Sequence, residues 1–189
     1  MCKYEREYYD YEEERIILFR CGEEVVKDGF CVFHHPTYWK EKPEDVAKKF
    51  YEKVEKAIKN NEKLLCIGYN LPKIDLSGKE FPKPTYFSWA TFKTAYFRGA
   101  TFNETAYFRW ATFKTAYFRW ATFDGEATFI SLKEAPAILF EVVSFKNPEK
   151  VVFDDFDLSN VSFVYTDISR VNFGERIRWD KNKKHIDER

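Results

Sequence analysis

The chain has no glutamine, one methionine and three histidines among its 189 residues. It also has no glycine-rich phosphate loop, no Gly-x-Ser-x-Gly and no His-Glu-x-x-His, so the common enzyme templates are missing. Four cysteines are too few for a disulfide-built scaffold. Net charge is missing as well: 31 basic side chains cancel 31 acidic ones, which removes bulk charge as a reason to expect a general nucleic-acid binder. No apolar run approaches the ~20 residues that would span a bilayer, and the start MCKYEREYYDYEEER is too charged for a secretory signal. The expectation is a soluble, cytoplasmic chain with no membrane partner. What is present is aromatic: 20 Phe and 12 Tyr, within 44% hydrophobic residues, exclude disorder. The length suits one domain, or one domain plus a small cap. Abundant Lys and Glu without Gln point to a heat-adapted source.

The aromatics are periodic. Fives begin at Thr85 (Thr-Tyr-Phe-Ser-Trp), Ala90, Ala95 and Ala100, and again at Ala106, Ala111, Ala116, Ala121 and Ala127. The frame returns at Val151, Phe156, Val161, Thr166 and Val171, and one earlier unit, Ile74-Asp-Leu-Ser-Gly, fits it. A period of five suits neither a helix nor a flat strand. It does suit a square coil in which the central Phe and the small residue two places earlier point inward. Four sides then make a turn, and turns stack as parallel strands ~4.8 Å apart. Thr, Tyr, Phe and Trp favour pleated backbone, which excludes an all-helical reading. Single extra residues at Thr105 and Glu126 lie 21 positions apart, one turn plus the insertion, and should share a corner. Residues 130–150 lose the frame and contain two prolines, so a longer loop, with room for a short helix, is expected there.

These fives resemble those of pentapeptide-repeat proteins, whose usual unit is Ala-(Asp/Asn)-Leu-x-x. The match runs over roughly residues 74–173. The resemblance implies a mainly β fold, a right-handed quadrilateral parallel β-helix. The second position departs from the family pattern between 85 and 128, where Thr or Tyr stands; Asp75, Asp157, Asp167 and Asn172 keep the usual type. The organisation expected is an N-terminal zinc-knuckle and helical cap (1–63), the coil (64–174) and a polar tail (175–189).

An open β-coil exposes edges that need covering. Residues 43–63 predict a capping helix: Pro43 in the first turn, Glu44 and Asp45 at the positive end of the dipole, an apolar stripe Val46, Phe50, Val54, Ile58, and Asn60-Asn61 as the stop. Leu64 to Ile67 read as a short buried strand, with Cys66 as core. Upstream, Cys2, Cys21, Cys31 and His34 give C-x18-C-x9-C-x2-H, a sufficient tetrahedral set for one structural zinc, because residues 1–40 hold little continuous apolar sequence and need a staple. The plainer alternative is three free thiols and surface histidines, and His35 competes with His34. Similar Cys-Cys-Cys-His starts occur in archaeal pentapeptide-repeat relatives, and this resemblance favours His34.

Alternating fives fall on alternating sides, so the Tyr-Phe-Arg-Trp units should occupy two opposite faces. One would carry Tyr86, Trp89, Tyr107, Arg109 and Trp110; the other Tyr96, Arg98, Tyr117, Arg119 and Trp120. These are either ladders that stabilise the coil or a docking surface, since Trp, Tyr and Arg dominate binding hot spots. Residues 83–119 hold six basic and one acidic side chain, a net of +5, whereas 124–167 hold nine acidic and three basic, a net of −6. That polarity could orient self-association or a complementary partner. The reading is a non-enzymatic scaffold without catalytic residues or small-molecule substrate, binding a protein partner or its own copies. The competing class is a nucleic-acid role. Direct binding by cations and aromatics would weaken steeply with salt. The resemblance also implies a duplex mimic that modulates a topoisomerase, a role that needs an acidic surface.

Overall fold

A computed structural model describes residues 1–131, 137–155 and 157–178. The chain opens with a β-hairpin not among the expected elements: β1 (Glu5–Asp10) pairs antiparallel with β2 (Arg15–Arg20), in register from Glu5↔Arg20 to Asp10↔Arg15. A cysteine-bearing loop leads to a one-turn helix, α1 (Tyr38–Glu41), and then to α2 (Pro43–Asn60). Pro43 starts α2, where its missing N–H costs nothing, and Asn61 ends it in the left-handed conformation at φ 56°. Its buried stripe is Val46, Phe50, Val54 and Ala57; Ile58, expected in that stripe, is only half-buried. The helix packs on Asn70–Asp75 and so covers the first turn of the coil.

From Leu64 to Phe173 the backbone winds in stacked sides. One parallel sheet joins Leu64–Leu65, Thr85–Tyr86, Ala106–Tyr107, Ala127–Ile130, Val151–Asp154 and Asn172–Phe173. A second bends round a corner at Thr91–Tyr96, which pairs with Asn70–Asp75 on one edge and with Thr112–Phe113 and Thr115–Tyr117 on the other. A third joins Glu80–Phe81, Thr101–Phe102, Thr122–Phe123 and Ser144–Phe145. The parallel, solenoidal coil implied by the repeat is therefore the fold.

The five-residue frame produces this shape because each side turns two residues inward. Phe87, Phe97, Phe108, Phe113, Phe118 and Phe129 are wholly buried, as are Ala90, Ala95, Ala100, Ala106, Ala111 and Ala116. Rings converging from four sides leave room only for a small residue beside each. Successive turns put phenyl on phenyl: Phe97–Phe118 at 4.7 Å and 6°, Phe118–Phe140 at 4.9 Å and 9°, Phe102–Phe123 at 4.8 Å and 8°. Those separations equal the strand spacing, so backbone register alone sets ring stacking.

Adjacent sides differ at their exits. Gly68, Gly78, Trp89, Gly99, Trp110, Trp120, Ser131, Val142, Asp155 and Tyr165 all have positive φ. Each stands two places after an inward residue on the two sides that carry the Tyr-Phe-Arg units. The Thr-Phe-Lys sides turn without it. Left-handed backbone at a non-glycine costs of order 1–3 kcal/mol, and the Trp89–Trp110 stack and the two arginines over Trp120 offset part of that cost.

The extra residues at Thr105 and Glu126 do lie at one corner: Thr85 donates its N–H to the Thr105 carbonyl and Ala106 to that of Glu126, both at 2.9 Å. A Cβ on Gly125 there would sit 2.5 Å from the Glu104 carbonyl carbon and 2.7 Å from its oxygen. Gly125→Ala should therefore destabilise by about 1–3 kcal/mol in urea denaturation, because backbone cannot move aside as a side chain can. Gly22→Ala, with nothing within 4 Å of its Cβ, should be near neutral. Equal effects at the two sites would contradict the stacked corner.

The expected loop over 130–150 is corrected in its described part. Ile138 and Phe140 are wholly buried, Val143 is buried, and Phe140 and Phe145 continue the ladders of Phe118 and Phe123. The coil persists because Ile138 and Val143 replace alanine at the inward position, while extra residues before and after shift the count. Among the described residues of this stretch the helical element is a 3-10 turn, Pro148–Lys150. Residues 132–136, Phe156 and 179–189 of the expected tail lie outside the described residues.

Candidate metal centre and the faces of the coil

Cys2 precedes β1 and Cys21 directly follows β2, so the hairpin brings these two thiols together at its open end. Cys31 and His34 lie on the next turn, where the amide N–H of His34 reaches the Cys31 carbonyl. The four ligand atoms lie within 4.8 Å of one another and all four residues are buried. Cys21 Sγ to Cys31 Sγ is 3.7 Å, Cys2 Sγ to His34 Nδ1 is 3.7 Å and Cys31 Sγ to His34 Nδ1 is 3.3 Å. A tetrahedral ion with metal–sulfur bonds of ~2.3 Å separates its ligands by roughly 3.6–3.8 Å. The cluster could therefore hold a metal ion.

The surroundings suit that role. His34 Nε2 lies 2.9 Å from the Ile67 carbonyl, which makes Nε2 the donor and leaves Nδ1 free to face the thiols. Tyr4 stacks on the imidazole at 3.7 Å and 8°. The amide of Cys31 donates to Cys2 Sγ at 3.3 Å. Without a cation, the hydrogen bond with Cys21 and then burial push the Cys31 thiol up to about 12, so binding a metal would release protons. His35 points elsewhere: its Nε2 lies 3.2 Å from Asp28, and Nδ1 accepts from the amides of Thr37 and Tyr38. Of the two candidate imidazoles, His34 is the one in the cluster. Cys66 is wholly buried in the coil, where desolvation raises its thiol to about 12.

From this base the hairpin lies over one side of the coil. Its tether is Asp10, which is buried. One carboxylate oxygen accepts from the amides of Glu12 (3.0 Å) and Glu13 (3.3 Å), from Lys63 Nζ (3.3 Å) and from the Tyr86 hydroxyl (3.3 Å). The other accepts from Tyr8 (3.2 Å) and Lys63 (3.0 Å). Burial pushes the Asp10 carboxyl up, but Lys63 and the two amides outweigh it and hold the group below the usual range. Burial, then the Asp10 charge, raise the Tyr8 hydroxyl to about 12. A depressed carboxyl contributes stability above its unfolded value, ~3.9, and loses it as pH falls through the folded one. The tether is thus complete at neutral pH and releases only in acid. Asp10→Asn should weaken hairpin docking by about 2–3 kcal/mol at neutral pH, read by hydrogen exchange of β1, and the gap to wild type should close in acid. A pH-independent gap would show that the charge is not what holds the hairpin.

This packing revises the first expected face. Tyr86 and Tyr107 are buried beneath the hairpin, in contact with Tyr8 and Tyr11; the Tyr11–Tyr107 rings stack at 4.4 Å. They are not an exposed surface, because the chain's own N-terminus covers them. Trp89 and Trp110 are half-buried and stacked at 4.6 Å, with Arg6 over the first and Arg109 over the second. A crevice of about 350 Å³ remains between them and the hairpin residues Tyr9 and Ile16. Two short segments, EREYYD with paired tyrosines and RIILFR with four apolar residues, on either side of a short polar turn were the signal for this hairpin. Its destination was not readable.

The opposite face carries no covering element among the described residues. Tyr96 and Tyr117 stack at 4.8 Å and 5°, half-buried, and Lys73 Nζ lies 5.3 Å from the Tyr96 ring centroid. Arg98 and Arg119 are exposed, each with its guanidinium 4.5 Å from the centroid of Trp120, itself 43% exposed. No described helix is long and apolar enough to cross a membrane.

Residues 87–131 match the family of pentapeptide repeats, in nine copies. No curated protein matches the chain. Among solved structures, a trypsin-treated variant of QnrB1, a plasmid-mediated fluoroquinolone resistance protein, is similar at 16% identity over 64% of this chain and 83% of that one, with a TM-score of 0.18. So loose a superposition bears on neither the fold nor the activity of this chain.

Proposed function

We propose that this chain, whose residues 87–131 are pentapeptide repeats, is a non-catalytic scaffold that binds a protein partner through the uncovered face of its coil. Pentapeptide-repeat proteins are generally scaffolds without catalysis, and here the coil axis is filled with phenyl rings. The observation that carries the reading is Trp120, which stays exposed beside two guanidinium groups and the Tyr96–Tyr117 pair. Tryptophan, tyrosine and arginine in one patch are the side chains that most often anchor interfaces. One zinc bound by Cys2, Cys21, Cys31 and His34 serves structure in this scheme: it holds the hairpin and thereby closes the opposite face.

The test is capture from native lysate with the intact chain, compared with a Tyr117→Ala/Trp120→Ala double variant of unchanged circular dichroism. A protein retained by the first and lost by the second is expected. Identical retention by both, or sedimentation showing that the chain binds only its own copies, would reject a protein partner at this face.

A further inference from the structure

The open face and the Thr-Phe-Lys side next to it, joined at the corner within Thr91–Tyr96, share an electrostatic peculiarity. Phe92 and Phe113 are in register, so the exposed Lys93 and Lys114 that follow them stand one strand spacing apart. Tyr96 pairs with Tyr117, and Gly99 donates its N–H to the Arg119 carbonyl, which places Arg98 and Arg119 in the same relation. Like charges directly opposed on neighbouring strands are destabilising. Among the described residues no ion pair engages Lys73, Lys93, Arg98 or Lys114, and Arg119 has only Glu141, at 4.0 Å. The acidic half of the coil differs: Asp154 pairs with Arg176 at 2.8 Å, and Asp157 with Arg178 and Glu149 with Arg170 at 3.8 Å each. Three carboxylates of that half thus have arginine partners, whereas four of the five cations here have no acidic one among the described residues. Asp75, exposed beside Tyr96, is the acid in register with the tyrosine ladder.

Two columns of cations flanking an aromatic pair could serve a nucleic acid or an acidic polypeptide. Single strands bind such grooves by stacking bases on free ring faces. Here those faces are taken. Tyr96 has Tyr117 on one face and Lys73 over its ring, and Trp120 has both arginines. What the surface offers is ammonium and guanidinium groups with ring edges between them. Arginine meets carboxylate through paired N–H bonds. A second copy of the chain is a poor counterpart: among the described acids of its acidic half, Glu141, Glu149, Asp154 and Asp157 are ion-paired and Asp155 and Asp167 accept from Ser131 and Ser169, which leaves the half-buried Asp124 and Glu126.

We infer that the corner between these two sides receives a short acidic segment of a partner polypeptide, its carboxylates set against Lys93 and Lys114 on one side and Arg98 and Arg119 on the next. The inference rests on the scaffold reading and narrows it to one partner chemistry.

The experiment is fluorescence anisotropy on the full chain, with labelled hexaglutamate, labelled hexalysine and a labelled oligothymidylate of similar length as probes. Hexaglutamate should bind at low salt and weaken as salt rises, and hexalysine should not bind. Lys93→Glu/Lys114→Glu, checked for unchanged circular dichroism, should reduce hexaglutamate affinity about tenfold or more, whereas Lys146→Glu on another side should leave it unchanged. Absence of hexaglutamate binding, equal binding by the Lys93/Lys114 variant, or tighter binding of the oligothymidylate would overturn the inference. If hexaglutamate fails while lysate capture still depends on Tyr117 and Trp120, the scaffold reading stands and the acidic partner falls. If both fail, both fall.

Discussion

Replacing Phe118 by alanine should lower the free energy of unfolding by about 3–5 kcal/mol in urea or guanidinium denaturation. The ring is wholly buried, stacks on Phe97 below and Phe140 above, and meets Phe108 and Phe129 edge-on at 5.6 and 5.8 Å. A cavity there cannot collapse easily. Each wall is a strand held to its neighbours in the turns above and below, so the sides keep their spacing when a ring is removed. Close packing also means that every lost contact has no substitute. Phe145, which is half-buried, should cost less when truncated. A loss under about 1 kcal/mol at Phe118 would be incompatible with a ring on the coil axis.

Removing the proposed zinc should have the second large effect, confined to one end of the molecule. In the proposed zinc site Cys2 and Cys21 would hold both outer ends of the hairpin, so removing the ion would leave neither strand anchored at its base and the thiols sharing a buried site without a cation. Structural zinc contributes about 10–16 kcal/mol of apparent binding free energy in small zinc modules. Even a fraction of that exceeds what the Asp10 tether supplies alone. Treatment with a strong chelator at neutral pH should therefore raise amide exchange in Glu5–Arg20 by roughly a hundredfold or more, while Phe97 and Phe118 stay protected, because the coil is stabilised turn by turn. Tyr86 and Tyr107 should become reachable by solvent, and native mass spectrometry before treatment should show one zinc per chain. Freely titrating thiols in the folded, untreated protein, with no metal detected, would falsify the assignment.

The repeat was readable because its information is local. A side of the coil needs only a ring in the centre of a five and a small residue two places before it, and Phe92, Phe97 and Phe102 with Ala90, Ala95 and Ala100 state this outright. The capping helix was equally local, from Pro43 to its left-handed stop at Asn61. The Cys-Cys-Cys-His set was legible as ligand chemistry, although its gaps did not say which histidine turned inward; the Ile67 carbonyl and Asp28 decide that between His34 and His35. Less legible was the coil around Ile138 and Val143. There the inward residues are branched, and extra residues displace them from the count, a change harmless to stacking at a corner but fatal to a fixed frame.

By itself, then, the sequence determined a phenyl-filled, four-sided coil with a helical cap, since those choices depend on neighbours a few residues apart. Which aromatic face meets solvent was decided only in three dimensions. Both faces carry the same Tyr-Phe-Arg units, and nothing within them differs enough to say which is covered. The answer comes from Asp10 reaching Lys63 and Tyr86, groups 53 and 76 positions away. Contacts of that length depend on where the hairpin's anchored base points it.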